Sequence, residues 1–241
     1  MFMEFKQDDI SKLEQGLLLN SVGSENFEKD TYLNGLIKKP WGFEYRIYAD
    51  NFYDVWRLHI NPNSKTSMHC HPRKDTVLLC LGGNGATVFL DNKKIELFEG
   101  KKVFIKKGVY HSTIAGKNGL NLIEVENPRN KFDLIRYEDT YGREMQKYET
   151  STSDEISLMN LMLYNGYMLR STDAMNQFSF IVGKFQNIEM QLNKQCKLMF
   201  TVALGLKHHL AGHIHLIDGE YQIKNSDYQD QQSLFILKKI I

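Results

Sequence analysis

Over residues 41–126 the chain never runs far without a turn signal. Short segments rich in Val, Ile, Tyr and Phe are separated by Asn61-Pro62-Asn63, Gly82-Gly83-Asn84-Gly85 and Asp91-Asn92. This texture predicts many short strands joined by tight turns, closing into a sandwich or barrel rather than a helical bundle. The balance of residues agrees: 12% are aromatic, and 17 Gly stand against 4 Pro.

The flanks read differently. Ile10, Leu13, Leu17 and Leu18 recur at helical spacing after the acidic start Asp8-Asp9, so a short amphipathic helix is expected, followed by an irregular arm. Near residue 150, Thr152-Ser153-Asp154-Glu155 has the form of a capping box leading into Ile156, Met159, Leu163 and Tyr167, which predicts a second helix. Residues 178–186, 197–206, 213–223 and 234–241 read as strands, with Asp218-Gly219 as a hairpin turn. The expected organisation is all-β: an N-terminal arm with a short helix (1–38), a barrel (39–150), and a C-terminal helix plus β-rich domain (151–241) that could be a degenerate copy of the barrel. About 90 residues make only a modest core alone, so the apolar strands around Leu198-Met199-Phe200 and Phe235-Ile236-Leu237 need a partner surface.

Several function classes are disfavoured by composition. Thirty Lys plus Arg against 29 Asp plus Glu give a net charge of +1 with no basic stripe, so nucleic acid is not an expected partner. No apolar run approaches the ~20 residues of a membrane helix, and the N-terminus lacks the pattern of a signal peptide. Cys70, Cys80 and Cys196 are odd in number and form no C-x-x-C pair, which argues against a disulfide framework. A cytoplasmic location is expected.

The chemistry concentrates at His69-Cys70-His71 and Gly108-Val109-Tyr110-His111. Residues two apart on a strand share a face, so His69 and His71 project together and Cys70 points away as a packed thiol. A third imidazole from His111 would complete a site for a divalent metal (zinc, iron, manganese or nickel) with positions left open for a ligand.

The spacing of these segments resembles the cupin superfamily, whose two motifs run G-x5-H-x-H-x3/4-E-x6-G and G-x5-P-x-G-x2-H-x3-N. The first reads Asn63, His69, His71, Asp75 and Gly82, and the second Gly100, Lys106, Gly108, His111 and Ala115. Asn63, Asp75, Lys106 and Ala115 depart from the pattern, and of these only Asp75 stands at a ligand position. Over 39–144 the chain is also similar to the cupin domain of type II mannose-6-phosphate isomerases, through Pro40-Trp41-Gly42, Thr66-Ser67-Met68-His69, Glu124-Val125-Glu126 and 136–143. The resemblance implies a jelly-roll barrel, a metal held by His69, His71, Asp75 and His111, and a sugar or sugar phosphate as substrate. It also implies a stand-alone relative from surface-polysaccharide or activated-sugar biosynthesis.

Other residues carry two readings each. Glu124 and Glu126 share a strand face and would serve as acid/base or histidine-orienting groups, or else form a charged outer face. Arg136 and Arg143 offer guanidinium forks to phosphate or to an enediolate, or pair with Glu138 and Asp139. Lys106 and Lys107 form a basic turn that is either solvated or in reach of a phosphate. Arg57 and His59 share one strand face and Trp56, Leu58 and Ile60 the other; either face could line the cavity, and if it is the second, Arg57 and His59 meet solvent. His208, His209, His213 and His215 lack a complete ligand pattern and read as structural or exposed. The expected activity is a metal-dependent sugar-phosphate isomerase with Glu124, Arg136 and Arg143 in the chemistry. The alternatives are an epimerase of nucleotide-linked keto-sugars or a non-catalytic sugar- or metal-binding module, and a homodimer is expected.

Overall fold

The computed structural model describes residues 2–3, 6–19, 36–49 and 54–144, and then 162–164, 168–172, 178–183, 196–203, 214–216 and 233–239. The chain divides into two units, Met1–Ser153 and Asp154–Ile241.

The first unit contains β1 (Phe2–Met3), α1 (Gln7–Leu19), β2 (Ile37–Lys39), β3 (Gly42–Ala49), β4 (Asp54–Ile60), β5 (Met68–Cys70), β6 (Asp75–Phe89), β7 (Lys94–Leu97), β8 (Lys102–Ile105), β9 (His111–Asn127) and β10 (Ile135–Glu138). The strands form one ten-stranded sheet whose main path is β1-β8-β6-β9-β4-β3-β2, with β5 joining β9 to β10 and β7 pairing with β6. The inner face carries Trp56, Leu58, Ile60, Leu78, Cys80, Val103, Ile105 and Leu122 in one buried cluster. Alternating residues of β7 and β8 contribute to it, as expected for strands with one wet face.

The helix expected near the N-terminus is α1, with Asp8 and Asp9 in its first turn. It is tied to the barrel. Asp9 accepts the Tyr110 N–H at 2.8 Å, and the Tyr110 hydroxyl donates to the Lys12 carbonyl at 3.0 Å. A Cβ on Gly16 would stand 2.5 Å from Ile135 Cγ2, so only glycine permits this approach.

β6 and β9 are long enough to serve both ends of the barrel, and each contains a glycine-rich bend. On β9, His111 and Thr113 line the cavity before the bend and Leu122 and Glu124 after it. Odd positions therefore face inward first and even positions later. The switch falls across Gly116-Lys117-Asn118-Gly119, opposite Gly82-Gly83-Asn84-Gly85, where the pairing jumps from Gly85↔Ala115 to Gly83↔Leu120. Gly83 and Gly119 take φ of +83° and +73°, and a Cβ on Gly83 would lie 2.2 Å from the Gly119 carbonyl oxygen. The bend is what lets histidine and glutamate from one strand face one cavity.

The described strands of the second unit are β11 (Met162–Tyr164), β12 (Met168–Thr172), β13 (Phe178–Gly183), β14 (Cys196–Ala203), β15 (Ile214–Leu216) and β16 (Ser233–Lys239). They form an antiparallel sheet in the order β11-β12-β13-β16-β14-β15. Each of the four strands expected here has a counterpart among the described residues, in β13, β14, β15 and β16. The helix expected from the capping box is not continued to Leu163, which lies in β11. Its first residues, the Asp218-Gly219 turn, and His208, His209 and His213 lie outside the described residues.

Candidate functional site

The three histidines meet at the end of the sheet where β5 crosses β9. His69 pairs directly with His111 in the ladder, and His71 follows β5 by one residue. The ring centroids are 5.0 Å apart for His69 and His71, 4.4 Å for His69 and His111, and 5.5 Å for His71 and His111. One ring nitrogen of each lies within 4.8 Å of the others. Cys70 turns the other way, as alternation predicts, and packs with Tyr110 and Ile135. Burial pushes its thiol up to about 12, so it stays protonated.

Backbone carbonyls fix the tautomers. His69 Nδ1 lies 2.8 Å from Ser67 O, His71 Nδ1 2.7 Å from Asp133 O, and His111 Nδ1 3.0 Å from Val109 O. A carbonyl only accepts, so each Nδ1 carries the hydrogen and each Nε2 keeps a lone pair. Burial holds all three imidazoles in the neutral form: His69 and His71 titrate well below the usual range, and His111 at about 4. His71 Nε2 is buried with no hydrogen-bond partner among the described residues. Three neutral imidazoles with converging lone pairs and oriented rings are the donor set a divalent metal takes, so these residues fit the ion.

Lys39, Glu44, Glu124 and Lys131 also line the cavity and form a charged wall, to which Glu126 and Lys74 are joined by ion pairs. Lys131, from the loop between β9 and β10, reaches Glu124 at 2.8 Å, Glu126 at 3.4 Å and Glu44 at 3.8 Å, and lies 4.4 Å from the centroid of the Trp56 ring. Lys74 holds Glu126 at 2.7 Å, and Lys39 lies 3.5 Å from Glu44. Burial raises the Glu124 carboxyl against the opposing pull of Lys131. Burial acts on Glu126 in the same sense, but Lys131 and Lys74 outweigh it and hold that carboxyl below its usual range. Lys131 is raised in turn, because its carboxylate neighbours overcome its own desolvation.

The cavity between these walls has about 60 Å³ of water-accessible space, and His69, His71, His111, Glu124, Arg136 and Arg143 all line it. Arg136 sits beside the three histidines, directly opposite His69 in the β5–β10 ladder. Arg143 is clamped by Asp139 through two bonds, Nε to Oδ2 at 2.8 Å and Nη2 to Oδ1 at 2.9 Å. The expected pairing with Asp139 is therefore real, but it is buried rather than superficial.

Two of these readings need correction. Asp75 is not brought to the histidines: its carboxylate accepts the Lys107 N–H at 2.9 Å and pairs with Lys106 at 3.7 Å. The reason is parity, since Thr76 and Leu78 take the inward positions of β6 and Asp75 the outward one. Lys106 and Lys107 consequently engage Asp75 and are not among the cavity-lining residues. Arg57 does not meet solvent either. It is fully buried on the side of β4 opposite Trp56 and Leu58, donating to the Leu58 carbonyl and, at 2.8 Å, to Asn121 Oδ1. Glu44, Lys39 and Lys131 were not anticipated as site residues. Their signal is weak in a sequence, because a lysine in a loop or an edge strand is ordinarily solvated.

One departure from the motif is structurally neutral. Asn63, standing where the pattern has glycine, takes φ of +58°, a left-handed conformation that asparagine tolerates. Gly100 and Gly108 keep positive φ at the other motif turns. With one sheet, antiparallel except for the β1–β8 pair, curled around a cavity, and the two histidine segments paired on its inner face, the first unit is a cupin barrel.

Residues 27–139 match the family model described as mannose-6-phosphate isomerase C-terminal. Among curated proteins, the chain is similar to a mannose-1-phosphate guanylyltransferase of Sinorhizobium fredii, 26% identical over 54% of this chain and 26% of that protein. It is also similar to the xanthan biosynthesis protein XanB of Xanthomonas campestris pv. campestris, 30% identical over 44% of this chain and 23% of that protein. The alignment thus spans about a quarter of those relatives' length. Among solved structures, it is similar to an RmlC-like cupin from Shewanella frigidimarina, with 16% identity, 47% of this chain and 96% of that chain covered, and a TM-score of 0.37. Among the described residues no helix is long and apolar enough to cross a membrane.

Proposed function

We propose that the first unit isomerises a phosphorylated sugar, moving a proton between C1 and C2 of an aldose and its ketose, with a divalent metal held by His69, His71 and His111. The observation that carries this reading is the convergence of three histidine lone pairs, the Glu124 carboxylate and two arginines on one cavity. The likeness to the mannose-6-phosphate isomerase C-terminal family and to proteins named for sugar-nucleotide and xanthan biosynthesis supports it.

A metal bound there would supply Lewis acidity toward a sugar carbonyl. The protein's own groups perform the rest. Glu124 is buried, and its proton affinity is raised by that burial while Lys131 restrains it. Such a carboxylate is suited to take a proton from one carbon and return it to the next. Arg136 presents a fixed cation where negative charge develops on the enediolate oxygens. Arg143, held rigid by Asp139, offers a donor to an anionic substituent such as phosphate.

The test is to incubate the purified, metal-loaded full chain with a panel of aldose and ketose phosphates in heavy water. Turnover with solvent deuterium appearing at the carbon next to the carbonyl is expected. Absence of both turnover and exchange across the panel overturns the reading.

A further inference from the structure

The motif position that should bring a carboxylate to the histidines does not do so in this chain. Asp75 is held on the outer side of β6 by Lys106 and Lys107, and its inward neighbour Thr76 offers only a hydroxyl. Directly across the ladder from Thr76, on the adjacent strand β9, stands Glu126. One of its oxygens, Oε1, accepts from Lys74 at 2.7 Å and Lys131 at 3.4 Å, the pattern of an ionised carboxylate. The other, Oε2, is buried with no hydrogen-bond partner among the described residues, and so is His71 Nε2. A ring nitrogen of His71 and a carboxylate oxygen from each of Glu124 and Glu126 lie within 4.8 Å of one another.

Both orphaned atoms are acceptors. His71 keeps its hydrogen on Nδ1, bound to the Asp133 carbonyl, and a carboxylate tied to two ammonium groups brings none. Neither can satisfy the other, and buried acceptors left in this condition are destabilising. A cation between them removes the conflict.

We propose that Glu126, not Asp75, supplies the carboxylate of the metal centre. The ligand set is then His69, His71, His111 and Glu126, drawn from the β5 segment and from both ends of β9. Glu126 groups with His71 rather than with His69 and His111, so holding an ion together with all three histidines would require its carboxylate to turn toward them. Glu124 keeps its pairing with Lys131 and its place in the cavity lining. This inference rests on the metal-binding reading given above.

The experiment compares the full-length wild type with Glu126→Gln and Asp75→Asn. Metal affinity is measured by competition with a chromophoric chelator, and coordination by the visible spectrum of the cobalt-substituted protein. Glu126→Gln is expected to weaken binding about tenfold or more and to change the cobalt bands. Asp75→Asn should leave affinity within about twofold and the bands unchanged. A crystal structure of the metal-loaded wild type serves as a second reading that survives any folding defect in the variant: a Glu126 oxygen is expected ~2.0–2.2 Å from the ion. If the wild type binds metal but Glu126→Gln binds it equally well, or Glu126 stays beyond ~3 Å of the ion by the same standard, this assignment is overturned and the histidine site stands. If the wild type binds no metal, both fall.

Discussion

The two walls of the cavity are both buried, but their polar groups are accommodated by opposite means. The histidine wall is neutral. Its imidazoles shed charge on burial and spend their one donor on a carbonyl, which leaves lone pairs pointing inward. The opposite wall keeps its charge, with Lys39, Lys74 and Lys131 set against Glu44, Glu124 and Glu126. Desolvation penalises both, yet only ions with partners can remain ionised at that depth. The difference teaches that one barrel can hold a lone-pair-rich pole and an ion-paired pole a few residues apart, provided each group has its own local compensation.

The sharpest way to break the contrast is to remove the cation common to the charged wall. Lys131→Met should destabilise the protein by ~3–5 kcal/mol in urea unfolding, because it strands Glu124 and Glu126 without their shared partner. The double variant Lys131→Met with Glu124→Gln should recover part of that loss, a coupling that a double-mutant cycle measures. No recovery would mean that Lys131 acts through packing on Trp56 rather than through charge.

The histidine wall is probed by acid. His111 titrates at about 4 in the fold and near 6.5 when unfolded, so the unfolded chain binds more protons between those values. Stability of the metal-free protein is therefore fully present above pH ~6.5 and lost as pH falls toward 4, by ~3 kcal/mol from His111. His69 and His71 shift in the same direction and add to the slope. Denaturation midpoints measured across that range should fall with pH, and His111→Leu should flatten the curve. A pH-independent midpoint would contradict the neutral assignment.

The smallest effect belongs to Thr76, at the inward position facing Glu126. Its hydroxyl is buried without a hydrogen-bond partner among the described residues. Replacement by Val should be neutral or stabilising by up to ~1 kcal/mol in thermal unfolding. A clear loss would show that this hydroxyl belongs to the charged wall.

The histidine pole was legible in the sequence and the charged pole largely was not. Alternation alone places His69 and His71 together and Cys70 away, and helical spacing alone marks α1. Glu124 and Glu126 could be paired on one face, but nothing local says whether that face is wet. Asp75 was misread because the motif admits two spacings, and only the β6–β9 register shows that Thr76 takes the inward place. Alternation names the face of Arg57 without saying whether it is covered, and here both faces of β4 are buried. Lys131 is brought to Glu124 by the turn after β9, which carries no periodic signal.

The glycine bend that reverses the inward parity of β9 also sets a rule for how this chain can change length. Side chains alternate with a period of two, so adding or removing a single residue across 116–119 would keep His111 inside and turn Glu124 and Glu126 out. A change of two residues would preserve both. By this arithmetic the segment can change length only by even steps without exchanging its inner and outer residues, whereas the turn at Asp91-Asn92, outside both walls, carries no such constraint.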